Sequence, residues 1–168
     1  MFALRPVTGP DMPRICGFFN TEKELAYSFP DAGYPLREKD LIASIERRSD
    51  SCVLIIDDRP VGFANLFNIA VDVDCHLGNV VIDRLYRRKG AASRLIREME
   101  SLAAEKYRVK KMIIPCWSEN TPALTVYAKL GFKPFDIVLR NFSRYDSVPV
   151  LLLEKSIPAV RSDGAVAG

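Results

Sequence analysis

No stretch of this 168-residue chain is long and apolar enough to cross a bilayer as a helix. Runs such as Val150–Leu153 fall far short of the ~20 residues a span needs. The opening Met1-Phe-Ala-Leu-Arg-Pro lacks the basic start and apolar core of a secretion signal, so a cytoplasmic protein without membrane attachment is expected. Excess charge of one sign is missing too. Lys+Arg is 24 against 21 Asp+Glu, a net +3 that is too small for a polybasic nucleic-acid coat. There is one histidine, His76, and none of Cys16, Cys52, Cys75 and Cys116 stands in a C-x-x-C pair. With Cys75-His76 the only adjacent ligands, no metal site is expected, and the cysteines read as reduced, small apolar side chains. Repeats and low-complexity linkers are absent, and 48% hydrophobic content excludes a disordered chain. One compact domain over 1–157 is expected, followed by a small, polar, flexible tail over 158–168.

The hydrophobic pattern predicts a strand over Phe2–Val7 and a helix over Asp11–Phe19 capped by Asp11. Asn20–Leu36 holds Pro30, Gly33 and Pro35 and reads as mostly loop with one helical turn. A helix over Lys39–Arg48 carries Leu41, Ile42 and Ile45 on one stripe. Cys52–Asp57 and Val61–Ala70 form a hairpin around Asp57-Asp58-Arg59-Pro60, and Leu77–Asp83 is a third strand. From Gly90 the period changes to 3.6, and Ala92, Leu95, Ile96, Met99, Leu102 and Ala103 define a helix to Tyr107. A strand over Lys111–Trp117 leads to a helix with Asn120 or Thr121 as cap, Pro122 near its start and Gly131 past its end. Phe132–Phe142 and Val148–Ile157 close a mixed sheet flanked by helices, an α/β (mixed α+β) architecture.

Chemistry concentrates in VVIDRLYRRKGAASRLI, residues 80–96. A strand ends, a basic loop follows, and an amphipathic helix begins at Gly90. The start of a helix offers unpaired N–H groups and about half a positive charge, so phosphate binds there readily. Arg87, Arg88 and Lys89 add charge beside it. The segment is neither a P-loop, which needs Gly-Lys-Ser/Thr, nor a three-glycine dinucleotide loop. A second motif, SENTPALTVYAKLGFKP, carries Asn120, Ala123, Tyr127, Gly131 and Phe132.

Together Arg87-x-x-Gly90-x-Ala92 and Asn120…Tyr127…Gly131-Phe132 resemble the Gcn5-related N-acetyltransferase superfamily over roughly residues 2–157, with Ala92 where many members have glycine. The resemblance implies the GNAT fold. That is a central mixed, mostly antiparallel sheet of six to seven strands, with splayed fourth and fifth strands and about four flanking helices. It implies acetyl-CoA as co-substrate, with the acetyl group passing to a primary amine by direct attack in a ternary complex. Pantetheine would pair with Val80, Val81 and Ile82 like an added strand. The pyrophosphate would rest on Arg87, Arg88, Lys89, Gly90, Ala91 and Ala92, with Ser93 close by. Asn120 would bond the pantetheine arm while also capping its helix. Tyr127 would be the general acid at the departing sulfur, and His76 either the base or a polar residue satisfied at a strand start. A covalent acyl-cysteine at Cys75 or Cys116 has no visible base and is not expected.

Glu22, Glu24, Asp31, Asp72 and Asp74 are candidates to attract a cationic amine. Phe29–Leu36 and the loop Val71–Asp74 are the segments expected to shape the acceptor pocket. The expected partners are acetyl-CoA and a small-molecule or peptide amine, with no nucleic acid, in a monomer or homodimer. Two other functions remain open: a CoA-binding regulatory module without turnover, and a nucleic-acid binder using Arg84–Lys111. Glu98, Glu100 and Glu105 dilute the basic patch that the second would need.

Overall fold

A computed structural model describes residues 1–160. The strands are β1 (Phe2–Pro6), β2 (Ser49–Ile56), β3 (Arg59–Ala70), β4 (Asp74–Ile82), β5 (Lys111–Trp117), β6 (Lys133–Phe142) and β7 (Tyr145–Ser156). The helices are α1 (Met12–Cys16), α2 (Glu22–Ser28), α3 (Glu38–Arg47), α4 (Ala91–Tyr107) and α5 (Thr121–Lys129). All seven strands form one sheet in the order β1-β2-β3-β4-β5-β7-β6, antiparallel except for the β4–β5 pair. That exception follows from connectivity, because α4 carries the chain back across the sheet between the two strands.

Each face of the sheet has its own core. Leu54, Leu66, Leu77 and Met112 meet Leu95, Ile96 and Met99 of α4 on one side. Val53, Phe63 and Val81 meet Ile15, Phe18, Leu25 and Leu41 on the other. The hairpin turn at Asp57 and Asp58 is left-handed at both residues (φ 47° and 61°), which matches the twist of the flanking strands.

Three local expectations are corrected. Five α-helices are present among the described residues where about four were expected, because Asn20–Leu36, though mostly loop, holds a seven-residue helix rather than a single turn. Thr21 accepts a hydrogen bond from the Glu24 N–H and starts α2, burying Leu25 and Ala26. The first helix is shorter than expected and Asp11 does not cap it. Its carboxylate instead accepts two bonds from Arg5 (2.7 and 2.8 Å) and two from the Thr8 N–H and hydroxyl. On α3, Ile42 leaves the expected stripe and is exposed, while Leu41 and Ser44 are buried. The tail expected at 158–168 lies, from residue 161 on, outside the described residues.

The Arg5 hydrogen bonds, working against burial, hold the Asp11 carboxyl at about 2. A carboxylate depressed in the folded state adds stability above its unfolded value and loses it as pH falls toward the folded one. Asp11→Asn is therefore expected to lower stability at neutral pH by about 2 kcal/mol. It should also flatten the loss of stability between about pH 4 and pH 2, measured by urea denaturation across that range.

Candidate active site

β4 and β5 pair only at Asp74–Lys111, Cys75–Met112 and His76–Ile113, then diverge. Beyond His76 the register of β4 against β3 shifts, and Asn79 sits there in a left-handed conformation (φ 50°). The backbone groups on the opened edge do not find a strand. The Val80 carbonyl accepts from the Ser28 hydroxyl (3.1 Å) and the Ile82 carbonyl from Arg87 Nε (3.0 Å). Side chains rather than a ladder thus hold the gap, and side chains can yield to a ligand.

A polar network underlies the bulge. Asn79 Oδ1 accepts from the Ser44 hydroxyl (2.8 Å) and from Asn65 Nδ2 (2.9 Å), and Asn79 Nδ2 donates to the Ser28 carbonyl. Ser44, Asn65 and Asn79 are all buried. Sequence reasoning passed over these residues, although an amide inside each of the apolar runs of β3 and β4 was a signal. A buried amide is retained only where partners satisfy it.

After β4 comes a 3-10 turn (Arg84–Tyr86), then Arg87–Gly90, then α4. Gly90 is left-handed (φ 81°), no side chain caps the helix, and the first bond inside it runs from the Arg94 N–H to the Gly90 carbonyl. The N–H groups of Ala91, Ala92 and Ser93 therefore start a 17-residue helix without an acceptor of their own from it. Arg88 is exposed and Lys89 donates to the Leu85 carbonyl. Arg87 is turned inward. Its guanidinium bonds Glu24 (2.9 Å) and the Phe18 carbonyl (3.1 Å) besides Ile82, so it ties α2 to the end of β4.

Asn120 caps α5, accepting from the Ala123 N–H (3.4 Å). Tyr127 is buried on α5 with its ring edge against Phe132. Burial, together with nearby Cys116, pushes its phenol far above the ordinary value, so it is protonated throughout the physiological range. His76 stands where β4 and β5 part, beside the Phe67 ring (5.0 Å), and its buried Nδ1 has no partner among the described residues. Desolvation lowers its pKa, which leaves a neutral imidazole with an open nitrogen at pH ~7. The cysteines are free, and burial raises Cys75 and Cys116 to about 12, so neither is a ready thiolate. Among the described residues no His, Cys, Asp and Glu side chains cluster as a metal site.

A cavity of about 730 Å³ lies against this region on the α2–α3 side. Phe29, Pro30, Asp31 and Ala32 line it, as expected of that segment, together with Arg48, Phe67 and Asn79. Phe142 reaches it from β6 and stacks on Trp117 of β5 (5.7 Å), and Asn79 brings the cavity to the bulge of β4. The loop Val71–Asp74 does not take part. Asp72 is held at the end of α4 by Arg108 (2.6 Å) and by the Tyr107 carbonyl. The five candidate carboxylates do not converge either. Glu22 pairs with Arg144, Glu24 with Arg87 and Asp72 with Arg108, while Asp31 accepts from the Ser143 N–H.

Comparison with known proteins agrees with this geometry. The profile of the acetyltransferase (GNAT) family matches residues 14–132. An N-alpha-acetyltransferase of Sulfurisphaera tokodaii is 30% identical over 82 residues, a match that covers 48% of this chain and only about half (48%) of that relative. The fold is shared with spermidine N-acetyltransferase from Vibrio cholerae, solved with CoA and spermine (TM-score 0.75, 17% identity, 93% of this chain and 95% of that one). It is shared as well with the ribosomal-protein-S18-alanine N-acetyltransferase from Escherichia coli (TM-score 0.69, 17% identity, 98% and 99%). With the family profile spanning most of its length, the chain belongs to the GNAT family of acetyltransferases.

Proposed function

We propose that this protein moves the acetyl group of acetyl-CoA to a primary amine by direct attack within a ternary complex. One observation carries the reading: a sheet edge opened after His76 leads, through a left-handed glycine, straight into the uncapped start of a long helix. An amide-bearing chain can pair along Val80, Val81 and Ile82, with its diphosphate on the N–H groups of Gly90–Ser93 and on Arg88 and Lys89. Asn120 reaches the pantetheine arm from the start of α5. Arg87 serves chiefly through its backbone, because its guanidinium is engaged by Glu24.

The amine attacks the thioester carbonyl, whose oxygen is polarised by a backbone N–H of β4. As the C–N bond forms, the C–S bond breaks, the electron pair leaves on sulfur, and the amine sheds a proton. His76 Nδ1, neutral and open, accepts that proton directly or through water. Tyr127 meets the departing sulfur as a hydrogen-bond donor, since burial keeps its proton in place.

Acetyl-CoA at 100 times its Kd is expected to stabilise the protein by about 2.7 kcal/mol, visible as a rise in Tm. Amine-dependent release of free thiol should accompany it. No stabilisation at millimolar ligand would sink the reading. Stabilisation with no thiol release from any amine or peptide would leave a CoA-binding module without turnover.

A further inference from the structure

Two arginines line the cavity without a counter-ion among the described residues: Arg47 is exposed to solvent, whereas Arg48 is half-buried, and its charge lacks an explanation in the fold. It follows the last turn of α3, half-buried, and its guanidinium carbon lies over the Phe67 ring (4.2 Å to the centroid). A guanidinium has five N–H donors. Only Nη1 is engaged, to Asn65 Oδ1 (3.2 Å), and no carboxylate among the described residues lies within ion-pair distance of the group. The neighbouring acids are occupied elsewhere: Asp50 by Lys106 and Tyr107, Asp40 by Arg37, Asp31 by the Ser143 N–H.

The fold nevertheless shapes itself around this side chain. Gly78 of β4 has no side chain where one would collide with Arg48 Nη1 and with the Phe67 ring, so the guanidinium seats directly on the strand just before the bulge. Asn65, which fixes its edge, also bonds Asn79. Phe67, beneath it, also neighbours His76 (5.0 Å between ring centroids). Burial and the nearby Arg47 and Arg140 lower its pKa to about 10, which still leaves it cationic at neutral pH. A half-buried cation without a counter-ion among the described residues, seated on an aromatic ring and against a glycine, is arranged to receive a planar anion from outside the protein.

Resting on the acetyltransferase reading above, we propose that the cavity takes a small amine that also carries a carboxylate, an amino acid or a close analogue. The carboxylate sits on the Arg48 guanidinium and the amine points toward the splay. Arg48, with Arg47 beside it, disfavours a second ammonium at that position, so a polyamine is the wrong chemistry for the end of the cavity that Arg48 lines.

The test uses amines matched except for the carboxylate: L-phenylalanine with phenethylamine, and L-leucine with isoamylamine. With acetyl-CoA supplied, the amino acid of each pair is expected to be favoured about ten- to hundredfold in kcat/KM, the range of one charge-assisted contact. Arg48→Gln should abolish that preference, chiefly through the KM of the amino acid, and Arg48→Lys should restore part of it. The pairs in the unaltered protein decide the matter even if the Gln variant folds poorly. Equal use of both members, or a preference for the bare amine, spermine or a peptide N-terminus, would overturn the proposal. The same pairs added to the CoA-bound protein give a second readout by thermal shift. Stabilisation by the amino acids alone supports the carboxylate site even where no acetyl is transferred, a result that would count against the enzyme reading instead. Equal shifts, or none, overturn the site.

Discussion

Tyr127→Phe is expected to lower kcat by two to three orders of magnitude, within the ~10²–10⁴ that a positioned proton donor supplies, and to leave the Kd of CoA nearly unchanged. The ring is anchored by burial and by its edge contact with Phe132, both of which phenylalanine keeps. No hydrogen bond contributes to the state of its hydroxyl, so removing the oxygen breaks no network and the fold should hold. On the proposed mechanism, what is lost is the donor to the thiolate as it forms beside a buried side chain, where one hydrogen bond counts for more than in solution. The pH profile separates the proposed hydrogen-bond donor from the proposed base. Burial raises the Tyr127 phenol, so no alkaline limb near its ordinary value of about 10 is expected. Desolvation lowers His76, so kcat/KM should fall only as pH drops below the ordinary imidazole value of about 6.5. That acid limb should persist in Tyr127→Phe and vanish in His76→Gln. Steady-state rates across pH together with calorimetric CoA binding check both, and a matching loss of CoA affinity would assign Tyr127 to binding.

Much of this was legible because it is local. The change from period two to 3.6 at Gly90 marks α4 to within a residue, and Asn120 with Pro122 marks the start of α5. The end of a strand, a basic loop and a glycine named the candidate cradle before any fold was known. Three things stayed hidden because they depend on partners distant in sequence. Arg87 looked like a phosphate ligand, yet Glu24, 63 positions away, draws its side chain inward. Asp72 and Asp74 looked like part of an acidic pocket, yet the turn they flank is fastened to the end of α4. Arg48 stood only as the last residue of the expected helix over Lys39–Arg48, and it takes Gly78, Phe67 and Asn65 together to show it held on β4. Asn20–Leu36 failed for a different reason. Its prolines and glycine mask a short helix whose cap, Thr21, and buried Leu25 were visible but outvoted by the composition around them.

Gly90→Val should separate backbone strain from the loss of an anion site. At φ 81° any side chain is strained, by about 1–2 kcal/mol for an L-residue forced left-handed. The chain already accepts that conformation at Arg88 (φ 60°) and Arg108 (φ 54°), so the variant is expected to fold with a loss of that size. A Cβ on Gly90 meets no protein atom within 4 Å. It projects into open space at the start of α4, beside the free N–H groups of Ala91, Ala92 and Ser93. On the proposed reading a diphosphate occupies that space, and displacing it would forfeit several charge-assisted bonds of about 1.5–3 kcal/mol each. CoA affinity is therefore expected to fall at least about a hundredfold, far more than the change in stability. Gly90→Ala, without β-branching, should be less strained and less obstructive than Gly90→Val, so both losses are smaller while affinity still falls more than stability. Urea denaturation gives the first quantity and calorimetry with CoA the second. If affinity and stability fell by equal free energies in both variants, strain alone would account for the loss and the diphosphate would have to bind elsewhere.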